Sequence, residues 1–188
     1  VVEYGESSPI LNDKVGFNHI YFRTDGNTFS PSRAWNIGIN YSICDYVFTS
    51  TSNDITDINL IIKSLKLLES GDFDMVKPYS RKYELNLNEF KSNISSIKTD
   101  NNYIGQGYED ERVFKICSGI TGWSKREINR ICNWEERFKF WRYDYTQDYK
   151  LEVYGVKYTI IDGDGYSLPH KRYHSDDMMS FDIDHYNK

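Results

Sequence analysis

The stretch Asp45–Gly71, DYVFTSTSNDITDINLIIKSLKLLESG, changes hydrophobic period partway along. Asp45 to Thr49 is a short β-rich apolar run, and the polar turn STSND follows it directly. From Asn53 onward Ile55, Ile58, Ile61, Ile62, Leu65 and Leu68 recur every three to four residues, the spacing of an amphipathic helix that stops at Gly71. Strand, polar turn and helix make the unit of α/β proteins, whose ligands sit at the carboxyl ends of strands. The stretch therefore predicts an α/β fold and marks the loop after Phe48 as a ligand edge. Asn53 or Asp54 is the expected cap of the helix.

Working outward, Val1 and Val2 read as a strand end opening onto a polar turn, and His19–Arg23 as a short strand. Arg33–Ser42 is a predicted helix capped by Ser32. Two short strands are expected around Pro78, then a helix-bearing excursion or surface insertion over residues 86–102. Gly105 and Gly107 mark a loop before Val113–Cys117, VFKIC. Ser124 opens a third predicted helix, with Glu127 at capping-box spacing. Tyr145–Tyr154 is a fourth, ended by Gly155, and Val156–Ile161 is a predicted strand. The residues after Asp162 are polar, with a tail over 175–188.

At 188 residues the chain is the size of one domain, and no linker or repeat divides it. A net charge of -5 argues against nucleic acid as the main partner, because phosphate-binding faces are basic. Aromatic residues make up 16% of the chain, with 16 Tyr and 4 Trp. Rings beyond the needs of a core suit stacking on a sugar or base, and a Tyr-rich core and surface is the alternative. Cys44, Cys117 and Cys132 contain no CxxC pair, which points to reduced thiols. No apolar run reaches the roughly 18 residues of a membrane span, and no signal-peptide pattern opens the chain, so a cytoplasmic protein is expected. The first residue is Val rather than Met, and a segment before Val1 is expected.

Taken in order, VVEYGESSP (1–9), SRAWNIGINYS (32–42), DYVFTSTSNDI (45–55) and GITGWSKREINRICNWEERFKFWRYDYTQDYKLEVYG (119–155) resemble the family-2 glycosyltransferases. The resemblance runs from Val1 to about His174 and lacks that family's first strand and helix. It implies a GT-A-like (Rossmann-like) fold, a mixed, mainly parallel sheet flanked by helices. The implied activity is inverting transfer of a sugar from a nucleotide-diphosphate sugar to a hydroxyl acceptor.

The resemblance also implies roles. Glu3 stands where an acid accepts a hydrogen bond from the nucleotide base, with Tyr4 in place of a second acid. Arg33 and Asn36 lie on the helix that approaches the diphosphate-sugar. Asn53 and Asp54, near Thr51, replace the Asp-x-Asp that holds Mn²⁺ or Mg²⁺, and His170 or His174 is a late metal ligand, beside Lys171 and Arg172 for phosphate. Asp144 falls at the general base, where a fixed carboxylate removes the acceptor's proton during in-line attack. Trp141, Tyr143 and Tyr145 flank it, Trp141 and Tyr143 being assigned to donor binding. A helix-capping role for Asp144 is the competing reading, and Asp148 is expected to face solvent. A catalytically degenerate sugar- or nucleotide-binding module is the second functional reading. A nucleotidyltransferase is a distant third, because the Gly-rich basic loop that holds a triphosphate is absent.

Overall fold

The structure is a computed structural model that describes residues 2–5, 20–23, 30–51, 53–84, 122–138 and 143–168. It is mixed α/β. In chain order the elements are β1 (Val2–Gly5), β2 (Ile20–Arg23), α1 (Pro31–Tyr41), β3 (Tyr46–Thr49), β4 (Asp54–Thr56), α2 (Ile58–Glu69), β5 (Met75–Lys77), β6 (Arg81–Glu84), β7 (Gly122–Lys125), α3 (Arg126–Ile131), α4 (Tyr143–Val153), β8 (Tyr158–Ile160) and β9 (Asp164–Ser167). Expected features within residues 85–121, including the 86–102 excursion and Val113–Cys117, lie outside the described residues.

The chain divides into two compact units, one holding residues 1–47, 126–154 and 173–188, the other residues 48–125 and 155–172. In the first, β1 and β2 pair in parallel. Helix α1 packs on β1 and on α3. It starts two residues earlier than its hydrophobic pattern predicts. Ser30 is extended and caps it, its Oγ accepting the Arg33 N–H at 3.4 Å, and Pro31 supplies a helical φ at a position where no N–H is needed. Ser32, the expected cap, is instead buried in the first turn. With Asn36 and Ile39 it forms the inward face of α1. Among the described residues of this unit, Ile39, Cys132, Trp134, Phe138 and Leu151 are buried apolar side chains. Helix α4 begins at Tyr143 rather than Tyr145, and Gly155 follows its end with φ of +65°, a backbone that favours glycine.

The second unit contains a sheet ordered β3-β7-β5-β8 and another ordered β4-β9-β6. Both are mixed: β5 runs parallel to β8 and antiparallel to β7, and β9 runs antiparallel to β4 and parallel to β6. Helix α2 lies on β5 and β7, where Trp123 Nε1 donates to the Ile61 carbonyl at 3.0 Å. Leu68, Val76, Tyr79 and Ile161 are buried there. Asp74 opens β5 and ties it to both neighbours: its carboxylate accepts from Lys125 Nζ at 2.7 Å and from the Lys157 backbone N–H at 3.0 Å.

Three expectations are corrected here. The helix read from Asn53 begins at Ile58 and is capped by Asp57, whose Oδ1 accepts the Asn59 N–H at 2.7 Å. Asp54–Thr56 is a strand instead, because β9 offers it a ladder with Ile55 opposite Tyr166. Ser124 does not cap a helix either, since it lies in β7 opposite Met75. Strand β9 itself is so polar, DGYS, that no hydrophobic alternation announces it.

Candidate functional site

In the first unit, α1, the residues after α3, and the start of α4 meet around Trp134. The Trp35 and Trp134 rings lie 4.7 Å apart between centroids, and Tyr143 lies 5.6 Å from Trp35 and 6.4 Å from Trp134. Tilted aromatic pairs at these separations are favourable beyond their buried area. Asn36 closes the cluster from below. Its Nδ2 donates to the Trp134 carbonyl at 2.9 Å and to Glu136 Oε1 at 2.8 Å, while its Oδ1 accepts the Trp134 N–H at 2.9 Å. Both amide N–H groups are thus committed inside the protein, and the residue is buried.

Asp144 is the second residue of α4. Its Oδ1 accepts the Tyr145 N–H at 3.0 Å, one of the first-turn donors that have no partner within a helix. The N-terminal end of a helix dipole favours negative charge at this position. Asp144 thus adjoins Tyr143, a member of the aromatic cluster. Asp148, expected in solvent, is buried at 7% exposure alongside Gln147 and Leu151, the i+3 and i+4 spacing to Leu151 putting the three on the inward face of α4. Gln147 Nε2 donates to the Cys132 carbonyl.

Just after α3, Glu135 gathers two cations. Glu135 accepts from Arg137 Nε at 2.8 Å and Nη2 at 2.9 Å, with Lys150 Nζ at 3.7 Å. The Arg137 guanidinium outweighs partial burial and holds the Glu135 carboxyl at about 2, below its usual 4.5.

Arg33 is exposed on α1. Glu3 lies in β1, but its side chain is outside the described part of the molecule, as are Trp141, His170, Arg172 and His174. Among the site residues assigned from sequence, the structure therefore places Asn36 and Tyr143 around Trp134, with Asp144 next to Tyr143 in the chain.

Asn53 and Asp54 belong to the second unit. The Asn53 side-chain amide donates to Ser167 Oγ at 2.9 Å, and the Asn53 backbone carbonyl accepts the Leu168 N–H at 2.8 Å. The Asp54 side chain is 1% exposed and has Lys82 Nζ 2.7 Å from its Oδ1. That approach is at ion-pair distance but off the hydrogen-bonding direction, so its attraction is mainly Coulombic. Among the described residues no three His, Cys, Asp or Glu side chains gather as a metal site would need. Sequence reasoning missed Lys82 and Trp134. Alternation in Arg81–Tyr83 places Lys82 on the face opposite to that of Arg81 and Tyr83, but which face meets Asp54 depends on β9 lying between β4 and β6.

Models of known protein families do not match the chain, and a search of curated proteins finds no match either.

Proposed function

We propose that the chain is an inverting glycosyltransferase of the GT-A kind, transferring a sugar from a nucleoside-diphosphate donor to a hydroxyl acceptor with Asp144 as base. The supporting observation is the position of Asp144, held in the first turn of α4 directly after Tyr143 of the Trp35–Trp134–Tyr143 cluster. In this reading aromatic faces receive the apolar face of a sugar ring, and the carboxylate takes the proton of the attacking hydroxyl. The acceptor oxygen bonds to the anomeric carbon as the bond to the phosphate oxygen breaks. That electron pair leaves with the nucleoside diphosphate, and the configuration inverts.

The second reading, a sugar- or nucleotide-binding module without turnover, draws on Asn36. Its amide N–H groups, assigned to the donor from sequence, are used within the protein. The two readings part on nucleoside diphosphate release from a panel of nucleotide sugars, with and without glycan acceptors. Release in the wild type that falls by about 100-fold or more in Asp144→Asn, with donor binding kept, supports the enzyme. Unchanged turnover in Asp144→Asn sinks the base assignment, and binding without any turnover selects the module.

A further inference from the structure

Both amide N–H groups of Asn36 go to one short segment, one to the Trp134 carbonyl at 2.9 Å and the other to Glu136 Oε1 at 2.8 Å. The first bond holds a ring-bearing residue of the aromatic cluster, and the second holds a carboxylate two residues further on. Asn36 is buried and follows Trp35 in α1, so this carboxylate is tied to the helix that carries one indole and to the segment that carries the other. All of these residues lie in the first unit.

Glu136 differs from its neighbour. The Glu135 carboxylate is taken up by Arg137, with Lys150 beside it. Glu136 is exposed, and among the described residues Asn36 is the partner of its carboxylate. A carboxylate only accepts, at about four lone-pair sites, and one amide N–H leaves most of them open. An exposed anion held by a buried amide, beside the half-buried rings of Trp35 and Tyr143, is set to accept from O–H donors brought by a ligand. Trp134 adds a donor: the residue is 4% exposed, and its Nε1–H has no hydrogen-bond partner. A buried N–H of this kind favours an added oxygen. Flat rings, an anionic acceptor and an unmatched N–H complement a sugar, whose ring has apolar C–H faces and whose hydroxyls both donate and accept.

From this arrangement we infer that Glu136 is a specificity-determining residue of the sugar site. It accepts hydrogen bonds from hydroxyls of the ring that rests on the Trp35–Trp134–Tyr143 cluster, and the sugar it selects is uncharged where it meets Glu136. Asn36 is then a positioning residue, acting through Glu136 rather than on the ligand. An acidic sugar whose carboxylate falls beside Glu136 would bring two like charges together and is turned away. The role of Glu136 rests on the reading in which the cluster receives a sugar, and is independent of turnover.

Glu136→Gln separates this role from a structural one. It keeps an oxygen for Asn36 and replaces the other by an NH₂ donor, so its melting should match the wild type. The probes are a glycan array of neutral, uronic-acid-bearing and sialic-acid-bearing oligosaccharides, and calorimetry with the neutral members that the wild type holds. Neutral members should be preferred, and their binding should weaken by about tenfold or more in Glu136→Gln and in Glu136→Ala. Wild-type affinity in Glu136→Gln, a weakening confined to variants that melt lower, or a wild type that prefers the acidic members overturns the assignment. Nucleoside diphosphate release is read separately. Neutral-sugar binding that needs Glu136, without release, keeps Glu136 at the sugar and removes the transferase reading. Release with KM and kcat unchanged in Glu136→Gln keeps the transferase and overturns the role of Glu136. If the wild type holds no member of the array and releases nothing, both fall.

Discussion

Asn36 on α1 and Trp134 beyond α3 are joined by reciprocal hydrogen bonds, the side-chain amide of the first bracketing the N–H and C=O of the second at 2.9 Å each. An amide that satisfies both backbone groups of a buried residue 98 positions away is a fastener of the fold. Asn36→Ala leaves that buried peptide unit without partners and is expected to cost about 2–4 kcal/mol, read from chemical denaturation. Asn36→Asp should be damaging as well, since a carboxylate would face the Trp134 carbonyl and Glu136. A wild-type midpoint in Asn36→Ala would assign the residue away from structure and back toward ligand binding.

Gly165 and Gly163 separate two kinds of close approach. A Cβ on Gly165 would lie 2.6 Å from the buried Tyr79 ring, whereas one on Gly163 meets the flexible end of Leu60 at 2.7 Å. Gly165→Ala should therefore destabilise by roughly 1–3 kcal/mol and Gly163→Ala by clearly less, compared by thermal melting. Shrinking the ring in a Gly165→Ala/Tyr79→Leu cycle should recover part of the loss, and strict additivity would show that the ring is not the obstacle.

Acid stability should depend on Glu135. Its carboxyl titrates at about 2 when folded and near 4.5 when free. Its pairing therefore contributes fully above pH 4.5 and is lost as pH falls toward 2. Glu135 is 17% exposed but Arg137 is 73% exposed, and screening keeps the contribution to about 1 kcal/mol. Asp74 acts in the same direction: burial raises its carboxyl, but Lys125 and the Lys157 N–H outweigh this and hold it below its usual value. Stability curves of Glu135→Gln and Asp74→Asn should approach that of the wild type on the acid side. Curves parallel to the wild type across that range would contradict the pairing.

The cap of α2 is open to the same kind of test. Asp57→Ala should cost about 1 kcal/mol and speed amide exchange in the first turn of α2. Asn53→Ala, which loses the bond to Ser167, should instead loosen the β4–β9 pairing and leave exchange at Asn59 unchanged. Faster exchange at Asn59 in Asn53→Ala would restore the sequence-based cap.

The expected N-caps Ser32, Asn53 or Asp54, and Ser124 were not the ones used, whereas periodicity and glycine stop signals were enough for the α/β class, for helices near residues 31–41, 58–69 and 143–153, and for the chain reversals at Gly71 and Gly155. These are properties of short stretches: one face must be apolar, and a chain leaving a helix through positive φ favours glycine. The same local reasoning failed at Ile55 and Ser124. Each sits beside a real helix, but a partner strand distant in sequence claims its backbone. It failed again at Asp148, whose inward face is set by what packs on α4. Asp144 was singled out by the resemblance of residues 119–155 to a glycosyltransferase segment; that it adjoins the Trp35–Trp134–Tyr143 cluster required α1 and α4 to be brought together. The pairing of Asp54 with Lys82 was beyond any reading of the chain. It exists because β9 lies between β4 and β6, and the order of strands in a sheet is decided by tertiary packing.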